Sequence, residues 1–362
     1  MSRRVRVLVV DDSALMRKLI PQMLESDPSI EVVGTAMDGH FALRKIQDLQ
    51  PNVVTLDLDM PKMNGIETLR EIMKRTPVAV IVVSSLSTEG ALVTMKALAM
   101  GAFDFVTKPK DATSHMAEAS AELIAKVKAA ADCKLKPRLL EESRTRSPKL
   151  EVKAWAQPTH VVAIGVSTGG PQALEYALPQ MPPEFPAAIL VCQHMPEGFT
   201  EMFARRLDEL CALSVKEARS GDPLLAGQVL ICPGNRHMKV KRLKQGDVVV
   251  LSDEERVNGH RPSADVLLHS VAEEFRSHAI GVLMTGMGDD GAEGLGAIKR
   301  LGGITIAQDE ESSVVFGMPK AAIERGYATR VVSLDGMAAA LQAACRGRDG
   351  LDRPRGTGRG AG

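Results

Sequence analysis

The chain has no excess charge of either sign: Lys plus Arg and Asp plus Glu both number 45 in 362 residues, so the formal net charge is zero. That balance argues against a protein that works by coating nucleic acid or an anionic membrane. Paired cysteines are missing too, since Cys133, Cys192, Cys211, Cys232 and Cys345 are scattered with no CxxC. Free thiols in a reducing compartment are the expectation. The eight histidines have no zinc-type spacing. No apolar run approaches the ~20 residues needed to cross a bilayer. The N-terminal MSRRVRVLVVDD goes from basic residues into a short strand and carboxylates, without the core and cleavage site of a signal peptide. A cytoplasmic monomer is expected, without nucleic-acid partner or direct membrane insertion. The 44% apolar and 25% charged content is globular, and the length suits about two or three domains.

What the sequence does hold is a turn at Val161 to Gly170, VVAIGVSTGG, where a strand-like run breaks around Ser167 among Gly165, Gly169 and Gly170. Small residues let the backbone turn tightly from strand to helix and leave room for another molecule to approach, the need behind nucleophile turns of GxSxG type. The same turn could bind a phosphate on its backbone NH groups. A base and an acid elsewhere must decide between these readings.

In residues 1–131, apolar runs at Val5 to Val10, Val32 to Ala36, Val53 to Leu56, Val78 to Val83 and Phe103 to Val106 alternate with helical patterns. This predicts an α/β domain, a five-stranded parallel sheet with helices on both faces. Working groups in such sheets lie beyond the carboxyl ends of the strands. Those ends carry Asp11 and Asp12, Asp57, Ser84 and Lys108. Three carboxylates on one edge repel one another and imply a divalent cation with oxygen ligands, Mg2+ being the natural choice. Lys108 adds a fixed positive charge, so the edge suits transfer of a phosphoryl group onto one carboxylate. The bland alternative is a set of helix caps and loop acids.

The segments VLVVDDS, VVTLDLDMPKMNG, VVSS and FDFVTKP resemble the two-component response-regulator receiver domain, which has a flavodoxin-like fold. The resemblance implies Asp57 as phosphoacceptor, Asp11, Asp12, Asp57 and the backbone of Asp59 as Mg2+ ligands, and Ser84 and Lys108 as readers of the phosphoryl group. Phe105 matches the aromatic switch position. The implied phosphodonor is a sensor histidine kinase.

Residues 132–158 have the composition of a linker, with several Lys and Arg, and Trp155, the only tryptophan, is expected to pack on the second domain. Residues 347–362, rich in Gly and Arg, read as a disordered tail. Between them, residues 159–346 repeat the strand–helix alternation at Val161 to Ile164, Ala188 to Cys192, Val229 to Ile231, Val248 to Leu251, Ile280 to Thr285 and Ile304 to Ala307. A period of two across Leu213 to Ser252 predicts an antiparallel insertion in a second doubly wound, mostly parallel sheet.

A serine nucleophile needs a base, and the base needs an acid. His194 lies just past the strand Ala188 to Cys192, on the same sheet edge as Ser167. His160 and His278 precede their strands, His269 sits in a helical run, and His237 and His260 fall in the insertion or a loop. For the acid, Asp289, Asp290 and Asp309 follow strands and Asp265 opens a helix; sequence geometry does not separate Asp289 from Asp290. Gly286 to Gly291, GMGDDG, also reads as GxGxxG with Asp309 about 20 residues on, the dinucleotide pattern. Against that reading, Asp289 and Asp290 would put two negative charges where a pyrophosphate should sit.

In order, GVSTGG, CQHMP, NGHRPSADVL, TGMGDDG and VVFGMPKAA resemble the CheB-type methylesterase catalytic domain. Joined to a receiver, this is the architecture of chemotaxis protein-glutamate methylesterases. The resemblance implies Ser167 as nucleophile, His194 as base, Asp290 as acid, and Thr168 and Met287 lining the pocket. It also implies methyl-accepting chemotaxis receptors as substrate, demethylated and deamidated, no cofactor for the hydrolase itself, and a receiver that covers the pocket until phosphorylated. The chain departs from the usual pattern at Val166 (commonly alanine), Asp59 (commonly glutamate) and Asp289 (often asparagine). The rival functions are a receiver-controlled binding module without esterase activity and a nucleotide-dependent enzyme using Gly286–Gly291.

Overall fold

The computed structural model describes residues 4–108, 116–132 and 157–346. Most of the expected linker, Trp155 and the expected tail lie outside the described residues. The chain divides into two compact units, the first also taking in Thr168–Gln172 and Met195–Arg206. No helix of the described residues is long and apolar enough to cross a membrane.

The first unit carries five strands, β1 (Val5–Val10), β2 (Ile30–Ala36), β3 (Val53–Asp57), β4 (Ala79–Ser84) and β5 (Asp104–Thr107). They are ordered β2-β1-β3-β4-β5, with every neighbouring pair parallel. Five helices connect or follow them: α1 (Met16–Leu24), α2 (Gly39–Leu49), α3 (Gly65–Arg75), α4 (Thr88–Ala99) and α5 (Met116–Asp132). β3 and β4 are buried along their whole length, as expected of strands covered on both faces, and their mostly apolar sequences, VVTLD and AVIVVS, reflect it. Local signals set the helix starts. Asn64 and Glu67 form a reciprocal capping box on α3, while Asp38 and Ser87 cap α2 and α4 through their side chains.

The second unit is built on seven strands: β6 (His160–Val166), β7 (Ala187–Gln193), β8 (Ser214–Glu217), β9 (Gln228–Ile231), β12 (Ala279–Leu283), β13 (Ile304–Gln308) and β14 (Arg330–Val332). A separate antiparallel pair, β10 (His237–Leu243) and β11 (Gly246–Ser252), lies between β9 and β12 in the chain. The remaining helices are α6 (Gly170–Ala177), α7 (Phe199–Leu210), α8 (Ala264–Phe275), α9 (Ala292–Arg300), α10 (Met318–Glu324) and α11 (Leu334–Cys345). The seven strands are ordered β14-β13-β12-β6-β7-β9-β8, again with all neighbours parallel.

The antiparallel insertion is therefore narrower than Leu213 to Ser252. β8 and β9 belong to the main sheet, and only β10 and β11 run antiparallel, as a two-stranded sheet of their own. Central β6 has the chain's next strands on one side and β12 on the other, so the order reverses beside it. That reversal is where open α/β sheets open a crevice.

Candidate active site

β6 and β7 stay in register to their last residues, Val166 opposite Gln193. Ser167 and His194 therefore leave the same edge side by side, and His194 N donates to Val166 O at 3.1 Å. β12 ends on the other flank of β6, and Ser167 N donates to Thr285 O at 3.0 Å. The glycines make these approaches possible. A Cβ at Gly165 would lie 2.7 Å from both Ala264 Cβ and Leu283 Cδ2, so glycine admits the start of α8 against β6. One at Gly286 would lie 2.9 Å from Ser167 Cβ and 3.1 Å from its nitrogen. The first glycine of GMGDDG thus makes room for the serine.

The same turn aims Asp290 inward, with Gly288 and Gly291 at φ of 79° and 91°. Asp290 is 1% exposed, and its carboxylate is heavily hydrogen-bonded. Oδ2 accepts from His194 Nε2 at 2.8 Å and from Ala264 N at 2.6 Å. Oδ1 accepts from Ser263 Oγ at 2.7 Å, Asn258 Nδ2 at 3.0 Å and Asp265 N at 3.3 Å. Ser263 is the N-cap of α8, so the carboxylate sits at that helix's positive end. Burial pushes the Asp290 carboxyl up, but the hydrogen bond from His194, the charge that ring carries when protonated, and the Ser263 and Ala264 donors together outweigh burial and hold it below the usual carboxylate range.

An ionised Asp290 fixes the tautomer of His194. Its Nε2 must carry the proton it gives to Oδ2, which leaves Nδ1 as the lone-pair nitrogen. Nδ1 is buried with no hydrogen-bond partner among the described residues. The imidazole is also covered on one face, where His260 stacks at 3.9 Å between centroids and 9° between planes. His237, fully buried, accepts from Ser263 N at 3.3 Å and donates to Glu255 O at 2.9 Å. It braces the cap of α8.

The first unit gathers a second site at the ends of β1, β3, β4 and β5. Asp11, Asp12 and Asp57 each offer an oxygen within 4.8 Å of the others. Lys108 Nζ lies 2.7 Å from Asp57 Oδ2 and 3.3 Å from Asp11 Oδ2. Asp59 N donates to Asp57 Oδ1 at 3.2 Å, and the buried Ser84 Oγ accepts from Thr94 Oγ1 at 2.7 Å. Burial raises the Asp57 and Asp11 carboxyls, with Lys108 opposing. Burial is the largest influence on the Lys108 ammonium and draws it down, but the hydrogen bonds and charges of Asp57 and Asp11 together outweigh it and leave it raised. Buried Asp11 Oδ2 is ion-paired with Lys108 but accepts no well-aligned hydrogen bond among the described residues, and an all-oxygen donor set of this kind fits a hard divalent cation. Phe105 is buried, with Lys126 Nζ on its carbonyl oxygen at 2.6 Å and 5.3 Å over its ring.

These two arrangements coincide with two family models, a response regulator receiver domain over residues 7–119 and CheB methylesterase over residues 162–341. A protein-glutamate methylesterase/protein-glutamine glutaminase 2 of Koribacter versatilis is 59% identical over 342 residues, covering 92% of this chain and 94% of the relative. The chain belongs to the CheB methylesterase family. A protein-glutamate methylesterase/protein-glutamine glutaminase of Pyrococcus horikoshii is 47% identical over 340 residues, covering 92% of both chains. The crystal structure of the Thermotoga maritima CheB methylesterase catalytic domain matches with a TM-score of 0.50 at 43% identity, over 51% of this chain and 97% of that one.

In this CheB-family chain the structure brings Ser167, His194 and Asp290 to one edge and separates the acids that spacing left open. Asp289, one residue away, is exposed and paired with Arg325 at 2.6 Å. Asp309 Oδ1 accepts from Ser312 N and Oγ. Asp265 supports Asp290 rather than replacing it. Thr168 is buried directly after the serine, and Met287 is half-buried in the Gly286–Gly291 turn. The residues that sequence reasoning missed are His260, Asn258 and Ser263. The only available signal was the NGHRPS segment itself, and nothing in its spacing says that it folds back over β7 and the β12 turn.

Proposed function

We propose that this chain is a phosphorylation-controlled serine hydrolase that demethylates glutamyl methyl esters and deamidates glutamines on methyl-accepting chemotaxis receptors. The observation that carries the reading is the Asp290–His194 pair, its buried Nδ1 without a hydrogen-bond partner among the described residues, just past the end of the strand beside the one that Ser167 follows. His194 Nδ1 takes the Ser167 hydroxyl proton as Oγ attacks the γ-carbonyl of the glutamyl ester. The proton then passes to the leaving methoxide and methanol departs, leaving an acyl-serine. Water, deprotonated by the same nitrogen, hydrolyses the acyl group and restores Ser167. With a glutamine substrate the leaving group is ammonia. Main-chain NH groups of the turn after Ser167 hold the tetrahedral oxyanion, each such donor worth roughly 2.7 to 4 kcal/mol. Thr168 and Met287 line the pocket in this reading.

Control lies in the first unit. Asp57 receives the phosphoryl group from a sensor histidine kinase, and Asp11, Asp12, Asp57 and the backbone of Asp59 would hold Mg2+ there. Bound there, the metal neutralises charge on the phosphoryl oxygens. Lys108 is already within reach of Asp57, and Ser84 turns toward the new group, whose charge of about −2 biases Phe105 and the surface it supports. A chain phosphorylated by a sensor kinase and acting on the inward parts of the receptors would work in the cytoplasm.

The test is methanol release from methylated receptor by the whole chain, with and without a small phosphodonor and Mg2+. A several-fold to about hundredfold stimulation is expected, the range of a 1 to 3 kcal/mol coupling. Asp57→Asn should abolish the stimulation. Equal stimulation of that variant would refute the assignment of Asp57.

A further inference from the structure

Residues 257–260 form a tight reversal over the Asp290–His194 pair. Val257 N donates to His260 O at 3.1 Å and His260 N to Val257 O at 2.9 Å. The two residues between, Asn258 and Gly259, have φ of 53° and 77°. Positive φ at both central positions is the pattern of a type I′ turn, which Asn-Gly suits because Asn tolerates and Gly favours the left-handed region. The turn stands on the surface, yet the Asn258 amide reaches inward to two buried carboxylates. Nδ2 donates to Asp265 Oδ2 at 2.7 Å and to Asp290 Oδ1 at 3.0 Å, which uses both of its hydrogens.

We propose that Asn258 is a positioning residue for the hydrolase: its amide, anchored on Asp265, pins Asp290 Oδ1 so that Oδ2 stays aligned on His194 Nε2. The inference rests on the hydrolase reading above and adds to it. Three features support it. Asp265 is itself fixed, because its Oδ1 accepts from Gly294 N at 2.7 Å, so the amide hangs from a rigid point. Without the amide between them, two buried carboxylates would face each other with one donor fewer. Burial and the neighbouring Asp290 charge already hold the Asp265 carboxyl above its usual range. Finally, Asn258 covers the Asp290 carboxylate on its solvent side. Removing the amide would let water compete for Oδ1 and loosen the carboxylate's aim.

The turn geometry supplies a clean test, since Gly fits φ of 53° without strain while removing the amide. Full-length Asn258→Gly, Asn258→Asp and Ser167→Ala would be compared by methanol release from methylated receptor, with thermal unfolding measured alongside. Asn258→Gly should keep its Tm and KM near wild type and lose about 10- to 100-fold in kcat. Asn258→Asp, which tolerates the same φ but sets a third carboxylate against two, should lose more. Wild-type kcat in a folded Asn258→Gly or Asn258→Asp variant would overturn the proposal. Loss of the folded state in both would overturn it as well, since the residue would then hold the fold rather than aim the pair. If Ser167→Ala is inactive while the Asn258 variants are not, only the positioning role fails. If Ser167→Ala is active, the hydrolase reading fails with it.

Discussion

Ser167→Ala should lower methanol release by about 10⁴-fold or more at saturating receptor, with KM little changed, since the hydroxyl supplies the bond-forming atom and little ground-state binding. What remains would be the modest acceleration of an oxyanion site acting on water. The fold should be unaffected. Ser167 is held by its main-chain NH on Thr285 O and by the β6–β7 register, neither of which involves the hydroxyl. A circular dichroism melt beside the kinetic assay therefore separates a lost nucleophile from a lost structure. A rate within tenfold of wild type would mean that another atom attacks the ester.

Asp290→Asn should be nearly as severe, about 10⁴-fold in kcat, and unlike Ser167→Ala it should also destabilise the protein. Every contact of this carboxylate is with a donor. An asparagine must turn its NH2 either toward Ser263, Asn258 and Asp265 N or toward Ala264 N and His194. In the second orientation His194 has to accept at Nε2, so its proton moves to Nδ1 and the base is lost. In the first, several donors meet a donor in the interior, each unsatisfied group costing about 1 to 3 kcal/mol. Because the folded-state carboxyl is depressed, the stability it contributes is present above the ordinary carboxylate range and disappears only as pH falls through the lowered folded value. The wild-type protein should therefore keep this contribution through mild acid, and the variant should lack it at neutral pH. A variant with unchanged Tm and kcat would show that the carboxylate neither anchors α8 nor orients the imidazole.

Much of this site was legible in the chain because parallel sheets concentrate chemistry at strand ends. Ser167 and His194 follow apolar runs that could only be central strands, so their shared edge follows from topology. The receiver edge, with Asp11, Asp12, Asp57, Ser84 and Lys108, is readable for the same reason. Other parts were hidden for physical reasons. β8, SVKE, and β14, RVV, are short and lack a fully buried face, so neither carries the apolar signature of a strand. Asp289 and Asp290 were inseparable in spacing because they share one turn. Only the backbone path around Gly288 and Gly291 turns one into the interior and leaves the other to Arg325. From the sequence, His260 reads as part of the insertion or a loop. A tight turn carries it back onto His194, and such long-range returns leave no periodic trace.

GMGDDG shows how one pattern can serve two chemistries. In a dinucleotide fold its first glycines would admit a pyrophosphate. Here Gly286 admits Ser167, and the later positions bury a carboxylate where the phosphate would need positive potential.

The most direct measurement is to treat the phosphodonor-activated chain with a fluorophosphonate, digest it and map the adduct by mass spectrometry, with a dinucleotide titration run in parallel. The account predicts one stoichiometric adduct on Ser167, its loss in His194→Gln, and no saturable dinucleotide binding. An active chain that carries no adduct, or carries it on a residue remote from the β6 edge, would contradict it.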